Sequence, residues 1–193
     1  MEINCNLIKY IKIIDNVMPK LVLESLLKVC KDSQSFGQGH VLKKNDSVVD
    51  KEMRNTFVWP MNNLGEKSLT TVHWANYLSF LFGKAITDYN NIYNIYGRFN
   101  ISEIQILKYV EGGFYKFHVD HDLELPRTYS CILFLNDNYE GGDLIFKFPG
   151  DNNEHKIKTK KNSVVVWPSN FLYPHSVSPV VKGERYSVVS WAR

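Results

Sequence analysis

The chain has 193 residues, a formal net charge of +3, 44% hydrophobic and 22% charged residues. That composition suits one globular domain with a sizeable core, and the charge is too small to argue for a nucleic-acid or membrane partner. No apolar run approaches the length of a membrane-spanning helix. The start at Met1 lacks the basic and apolar stretches of a signal peptide, so the expected compartment is the cytosol. Cys5, Cys30 and Cys131 are far apart and odd in number. They read as buried free thiols in a reducing compartment, not as a disulfide frame.

Residues 8–14 predict a short strand. A helix then starts between Asn16 and Pro19, with Leu21, Leu23, Leu26, Leu27 and Cys30 at helical spacing. From Lys31 to Asp50 the chain is rich in Ser, Gly, Asn, Lys and Asp and reads as a mobile loop. The stretch from Ser33 to Asp50 is long for a structureless loop and suggests an active-site lid, with a plain connection as the alternative. Arg54 to Trp59 reads as a strand ended by Pro60, and Asn62 to Lys67 is polar. A second helix is expected from Ser68, a candidate N-cap, to Tyr89, with Val72, Trp74, Ala75, Leu78, Leu81, Phe82 and Ile86 on its apolar face.

After Gly97 the texture changes to short β-rich runs separated by Gly, Asn and Pro turns. Strands are expected at 101–110, 114–120, 128–135, 143–148, 155–158, 163–167, 173–177 and 185–191. About eight such strands suggest a sandwich, jelly roll or barrel, braced from outside by the two helices. The fold class is therefore mostly β with bracing helices, α+β. Residues 1–193 read as a single domain, with helices, short strands and the lid loop in 1–97 and a β core in 98–193.

Two side chains in this β region carry the first chemical signal. His118 and Asp120 sit two apart in an expected strand, so both face one side. A second histidine would complete a triad of two His and one carboxylate, which holds a divalent metal and leaves three positions open. His175 follows in a late expected strand, placed to face His118 across a barrel. Alone it reads as a satisfied core or surface histidine. Arg185 opens the last expected strand, and a guanidinium lining a β pocket matches a carboxylate ligand, such as a 2-oxo acid bound at the open metal positions. Alone it reads as a surface arginine. His121 points away from His118 by the same alternation and is not expected to be a ligand. Lys156, Lys158 and Lys160 alternate as the solvated face of a strand. Gly141 and Gly142 form a turn without phosphate-loop context.

Taken together, Gln105 to Tyr109, Gly112 to Asp120, Phe134 to Asp137, Glu140 to Phe146, Trp167 with Pro168, His175, and Gly183 to Tyr186 resemble the Fe(II)- and 2-oxoglutarate-dependent dioxygenases of the prolyl 4-hydroxylase type. The resemblance spans residues 104–192. It implies a double-stranded β-helix (jelly roll) with iron held by His118, Asp120 and His175, and 2-oxoglutarate anchored by Arg185. Tyr109, Tyr115 and Trp191 match residues lining the cosubstrate or substrate pocket. It implies Fe(II), 2-oxoglutarate, O2 and ascorbate as cofactors, and release of succinate and CO2. The implied substrate is a proline-containing peptide or protein, with neither nucleic acid nor membrane as partner.

Two departures stand out. Collagen-type relatives carry lysine where this chain has Arg185, and some relatives carry a tyrosine at the position of Phe134. Arg185 then needs another helper, for which Thr128, Tyr129 and Ser130 are candidates. Tyr115, Trp191 and Trp59 suggest an aromatic wall for a pyrrolidine ring, and Arg54 to Thr56 resembles a segment following the lid in prolyl hydroxylases. Competing readings are a small-molecule hydroxylase, a nucleic-acid demethylase, a zinc hydrolase or a non-catalytic jelly-roll module. Demethylases carry a further arginine where this chain has Trp191, and a zinc hydrolase has no use for Arg185.

Overall fold

A computed structural model describes residues 6–43, 46–61 and 68–193. Cys5, the start of the chain and the polar segment 62–67 lie outside the described residues. A 3-10 turn (Leu7–Tyr10) leads to β1 (Lys12–Asp15), α1 (Lys20–Asp32), β2 (Gly37–Gln38), β3 (Val41–Lys43), β4 (Asp46–Val48), β5 (Arg54–Asn55), β6 (Phe57–Pro60) and α2 (Leu69–Tyr93). The second half contributes β7 (Ile101–Tyr109), β8 (Phe114–His118), β9 (Tyr129–Phe134), β10 (Glu140–Gly141), β11 (Leu144–Phe146), β12 (His155–Lys156), β13 (Ser163–Pro168), β14 (His175–Val177), β15 (Val180–Lys182) and β16 (Arg185–Ala192).

Two antiparallel sheets form the body. The larger runs β1-β13-β9-β16-β7-β6-β2 and the smaller β12-β11-β14-β8-β5. The inner strands of the larger sheet are buried on both faces, and their side chains alternate between two cores. Tyr129, Cys131, Leu133, Val164, Val166, Tyr186 and Val188 pack with the helices. Ile132, Phe134, Val165, Trp167, Val189 and Trp191 face the core toward the smaller sheet. This is a jelly roll braced by helices on one outer face. The alternation also puts Ser130, Arg185 and Ser187, which share parity with their inward neighbours, on the side between the sheets.

The helices follow their apolar stripes. In α1, Leu23, Leu26 and Cys30 are buried, whereas Leu21, assigned to that stripe, is 76% exposed. It precedes Leu23 by two positions, which is about 200° around a helix. Val72 stands in the same relation to Trp74 and is likewise exposed. The Ser68 side chain accepts from the Thr71 amide at 3.4 Å, as expected of an N-cap. The helix runs four residues past Tyr89 to Tyr93 and ends on Asn94 in the left-handed conformation, φ 52°. Tyr89 donates to the Tyr10 carbonyl at 2.9 Å and Tyr93 donates to that of Lys9, tying the helix to the start of the chain.

Several expectations are corrected here. Residues 8–14 split into the 3-10 turn and β1. Residues 31–50 are not structureless, since β2 pairs with β6 and β3 pairs with β4 as a hairpin. The expected strand 54–59 divides between the two sheets, β5 on the smaller and β6 on the larger. β6 does end at Pro60. Ten strands, not about eight, follow Gly97; the added pair is β10 with β15. Each is too short to leave a periodic signal. Cys30 and Cys131 are buried and unpaired.

Leu78 is fully buried in the helix–sheet core, while Phe80 on the same helix is 72% exposed. Leu78→Ala is expected to cost about 2–5 kcal/mol of stability in urea unfolding. Phe80→Ser is expected to change it by less than about 0.5 kcal/mol. Equal losses would contradict this packing.

Candidate metal centre

β14 pairs antiparallel with β8, and its register sets His175 opposite His118. The two histidines are therefore neighbours in the smaller sheet and do not face each other across the barrel, as the sequence reading had it. β8 ends at His118, so strand alternation does not place Asp120 either. Asp120 lies in the turn beyond, where its carbonyl accepts from Arg127 Nη1 at 3.2 Å and its carboxylate accepts from Ser130 at 2.6 Å. The result still brings the three together. His118 Nε2 lies 3.5 Å from Asp120 Oδ1, and His175 Nε2 lies 3.4 Å from Oδ2. One ligand atom from each falls within 4.8 Å of the others.

The donor set fits a divalent cation. His118 Nδ1 lies 2.9 Å from the Lys116 carbonyl and His175 Nδ1 lies 3.1 Å from that of Tyr173. A carbonyl only accepts, so each Nδ1 carries the proton and each Nε2 presents a lone pair to the centre. Burial lowers the His175 imidazole to about 4. Burial opposes ionisation of Asp120, but His175, His118 and the Ser130 hydroxyl outweigh it and hold the carboxyl well below its usual range. At neutral pH the centre offers an ionised carboxylate beside a neutral, buried His175, the protonation state that metal binding requires.

Aromatic side chains box in the imidazoles. Tyr115 stacks on His118 with centroids 3.6 Å apart. Trp167 meets His175 edge-on at 5.0 Å, and Phe146 approaches it at 5.6 Å. Burial pushes the Tyr115 hydroxyl up to about 12. His121 stands outside the group; it is exposed, with Nδ1 2.9 Å from the Arg127 carbonyl.

The triad opens into a cleft of about 800 Å3 whose walls include Tyr109, Tyr115 and Trp191. Trp59, expected on that wall, is instead buried in the helix–sheet core beside Phe36. Arg185 is fully buried and is not part of the cleft lining. It starts β16 opposite Tyr109. Its guanidinium sits 5.0 Å from the centres of both the Tyr109 and Phe134 rings. Nη1 donates to Ser187 at 2.9 Å, while Nε and Nη2 have no partner among the described residues. Ser187 is thus the side chain bonded to Arg185, and among the described residues Thr128, Tyr129 and Ser130 make no hydrogen bond to it. Tyr129 belongs to the helix–sheet core and Ser130 serves Asp120.

Sequence reasoning passed over three residues that shape the site. Arg127 holds Glu103 through two bonds of 2.9 and 3.1 Å and lies 3.9 Å over the Trp191 ring. Ser169 bonds the Ser130 hydroxyl at 2.7 Å. Arg54, noted only as part of a three-residue likeness, is buried, donates to the His40 carbonyl at 3.0 Å and lies 4.7 Å over the Tyr115 ring. None carries a periodic or motif signal. Lys156 and Lys160 are exposed and paired with Asp143 and Asp15.

Residues 104–193 match the family model of the 2OG-Fe(II) oxygenase superfamily. A PKHD-type hydroxylase of Stenotrophomonas maltophilia (strain R551-3) is 37% identical over 95 residues, 45% of this chain and 40% of that protein. Another, of Maricaulis maris (strain MCS10), is 36% identical over 97 residues, 48% of this chain and 42% of that protein. The match therefore spans about two fifths of these relatives' length. Among solved structures, a prolyl hydroxylase from Trichoplax adhaerens in complex with a hypoxia inducible factor peptide fragment superposes with TM-score 0.74 at 23% identity, covering 95% of this chain and 83% of that one. A Pseudomonas putida prolyl-4-hydroxylase gives 0.69 at 21%, covering 95% and 92%. These structural likenesses carry the fold. The stretch that matches this family model includes His118, Asp120, His175 and Arg185.

Proposed function

We propose that the chain is an Fe(II)- and 2-oxoglutarate-dependent dioxygenase that hydroxylates a prolyl residue in a peptide or protein. The observation that carries this reading is Arg185, a fully buried cation with two nitrogens, Nε and Nη2, left without an acceptor among the described residues. Removing such a charge from water costs several kcal/mol unless an anion meets it. Its planar fork matches the far carboxylate of a 2-oxo diacid. A zinc hydrolase would leave that charge unanswered.

In this reading His118 and His175 hold the metal through Nε2 and Asp120 holds it through its carboxylate. When bound, Fe(II) with 2-oxoglutarate and O2 supplies the oxidation, one oxygen atom becoming the product hydroxyl and the other entering succinate as CO2 leaves. The chain's own part is to orient, to shield and to exclude water. Arg185 and Ser187 fix the cosubstrate's far end, Phe134 and Tyr109 exclude water around the guanidinium, and Trp167 and Phe146 wall off His175. Tyr115 and Trp191 supply aromatic cleft surface suited to a pyrrolidine ring. The β3–β4 hairpin contributes Val41 and Ser47 to the cleft and is the lid of this reading. Residues 1–97 and 98–193 act as one unit. The same reading takes ascorbate as reductant and, with two unpaired thiols, the cytosol as setting.

His118→Ala, Asp120→Ala and His175→Ala are each expected to abolish Fe(II)-dependent 2-oxoglutarate turnover, and His121→Ala to retain it. Succinate release measures this, and a fully active Asp120→Ala would sink the assignment. Arg185→Ala is expected to weaken 2-oxoglutarate binding by about 2–5 kcal/mol. Calorimetry should show metal binding nearly intact in that variant; unchanged cosubstrate affinity would reject the role. Proline-containing peptides are expected to stimulate succinate release and gain one oxygen by mass. Stimulation only by a free amino acid or nucleotide would refute the peptidyl-proline substrate and spare the iron chemistry.

A further inference from the structure

Asp120 is bonded asymmetrically. The Ser130 hydroxyl donates to Oδ2 at 2.6 Å. An ionised carboxylate only accepts, so the single Ser130 proton is committed there. The Ser169 hydroxyl, 2.7 Å from Ser130 Oγ, must then be the donor of that second bond. Both serines are 1% exposed. Ser169 is itself fixed on both sides, its amide donating to the Thr128 carbonyl at 3.0 Å and its carbonyl accepting from the His121 amide at 3.1 Å. The relay thus runs from the end of β13 through β9 into the turn that carries Asp120. It occupies Oδ2 with a short hydrogen bond and leaves Oδ1, which faces His118 Nε2, as the free oxygen.

We propose that the Ser169–Ser130 relay restricts Asp120 to coordinating metal through one oxygen, and so keeps open a position that a two-oxygen carboxylate would fill. The inference rests on the triad as a metal site. A carboxylate released from the relay is free to turn both oxygens to the cation. Two imidazoles and two oxygens would then leave two positions in an octahedron in place of three. Chelation by a cosubstrate would fill both and leave none for a third ligand. Ser130 and Ser169 are positioning residues, acting on the metal through Asp120.

Mn(II) binding to the full chain tests this without turnover, by electron paramagnetic resonance of the free ion and by water-proton relaxation. The wild type is expected to bind one Mn(II) with three exchangeable waters. Ser130→Ala should bind it about tenfold more weakly, the range seen when a ligand's hydrogen-bond partner is removed. It should also lower the relaxation per bound ion by about one third, one water of three. Ser169→Ala should shift both in the same direction by less, and Ser130→Thr, which keeps a hydroxyl, should restore wild-type relaxation. Wild-type relaxation per ion in Ser130→Ala overturns the restriction, even with weakened affinity. If Ser130→Ala does not fold, wild-type relaxation in Ser169→Ala overturns it instead. A wild-type chain that binds no Mn(II) overturns the metal reading itself, and the relay with it.

Discussion

His175 stands opposite His118 only because β14 and β8 pair in one register. A slip of one residue would turn one imidazole to the opposite face of the sheet. The same holds where β16 meets β7, whose pairing sets Arg185 against Tyr109. β14 is held from its other side too, since Phe146 of β11 is the partner of His175. The register is specified by burial. His175, Ser176 and Val177 are all buried, so no shifted pairing keeps these side chains in their present surroundings.

Burying Arg185 imposes a second constraint, on glycine. A Cβ at Gly142 would meet Arg185 Cδ at 2.9 Å, and the backbone there has φ +62°. Both the space and the conformation exclude a side chain. Next to it, a Cβ at Gly141 would lie 2.2 Å from the Pro179 carbonyl oxygen. Gly141 thus belongs to β10 and not to the turn its sequence suggests, and Gly142 after it is the clearance for the aliphatic stem of the buried cation. Ser187, two residues along β16, shares the inward face with Arg185 and satisfies one of its donors. Its Nε and Nη2 make no hydrogen bond among the described residues, and a buried cation of this kind favours an anionic partner over water.

Much of this was legible in the sequence because it depends on local rules. Ser68 as cap and Leu78, Phe82 and Ile86 as core follow from helix period, and residue type in order singled out His118, Asp120 and His175, which the structure brings together. What escaped depends on contacts between distant segments. Leu21 and Val72 are apolar but off their stripes, so hydrophobicity alone misplaced them. Trp59 was assigned to the cleft, yet it is its neighbours Val58 and Pro60 that line it; a one-residue parity error moved the ring to the other core. Ser130 was weighed as a partner for Arg185. Both lie on the inward side, and alternation cannot tell which of two nearby polar groups a hydroxyl will serve. Strands β2, β3 and β4 were hidden because each is only two or three residues long.

The N-terminal segment is joined to the centre through a stack. Arg54 of β5 is the cross-strand partner of Tyr115 in β8, and its guanidinium covers the Tyr115 ring, which also stacks on the His118 imidazole. A cation over one aromatic ring that stacks on a second fixes both ring planes. Arg54 in turn donates to the carbonyl of His40, at the base of the β3–β4 hairpin. Gly39 beside it has no room to spare, since a Cβ there would lie 2.9 Å from Thr56 and 3.0 Å from Arg54 Nε. Displacement of residues 39–41 therefore strains the Arg54 hydrogen bond first and the Tyr115–His118 stack next. The orientation of His118, a candidate metal ligand, thus depends on a segment outside residues 104–193, and Arg54 belongs to the candidate site as well as to its support.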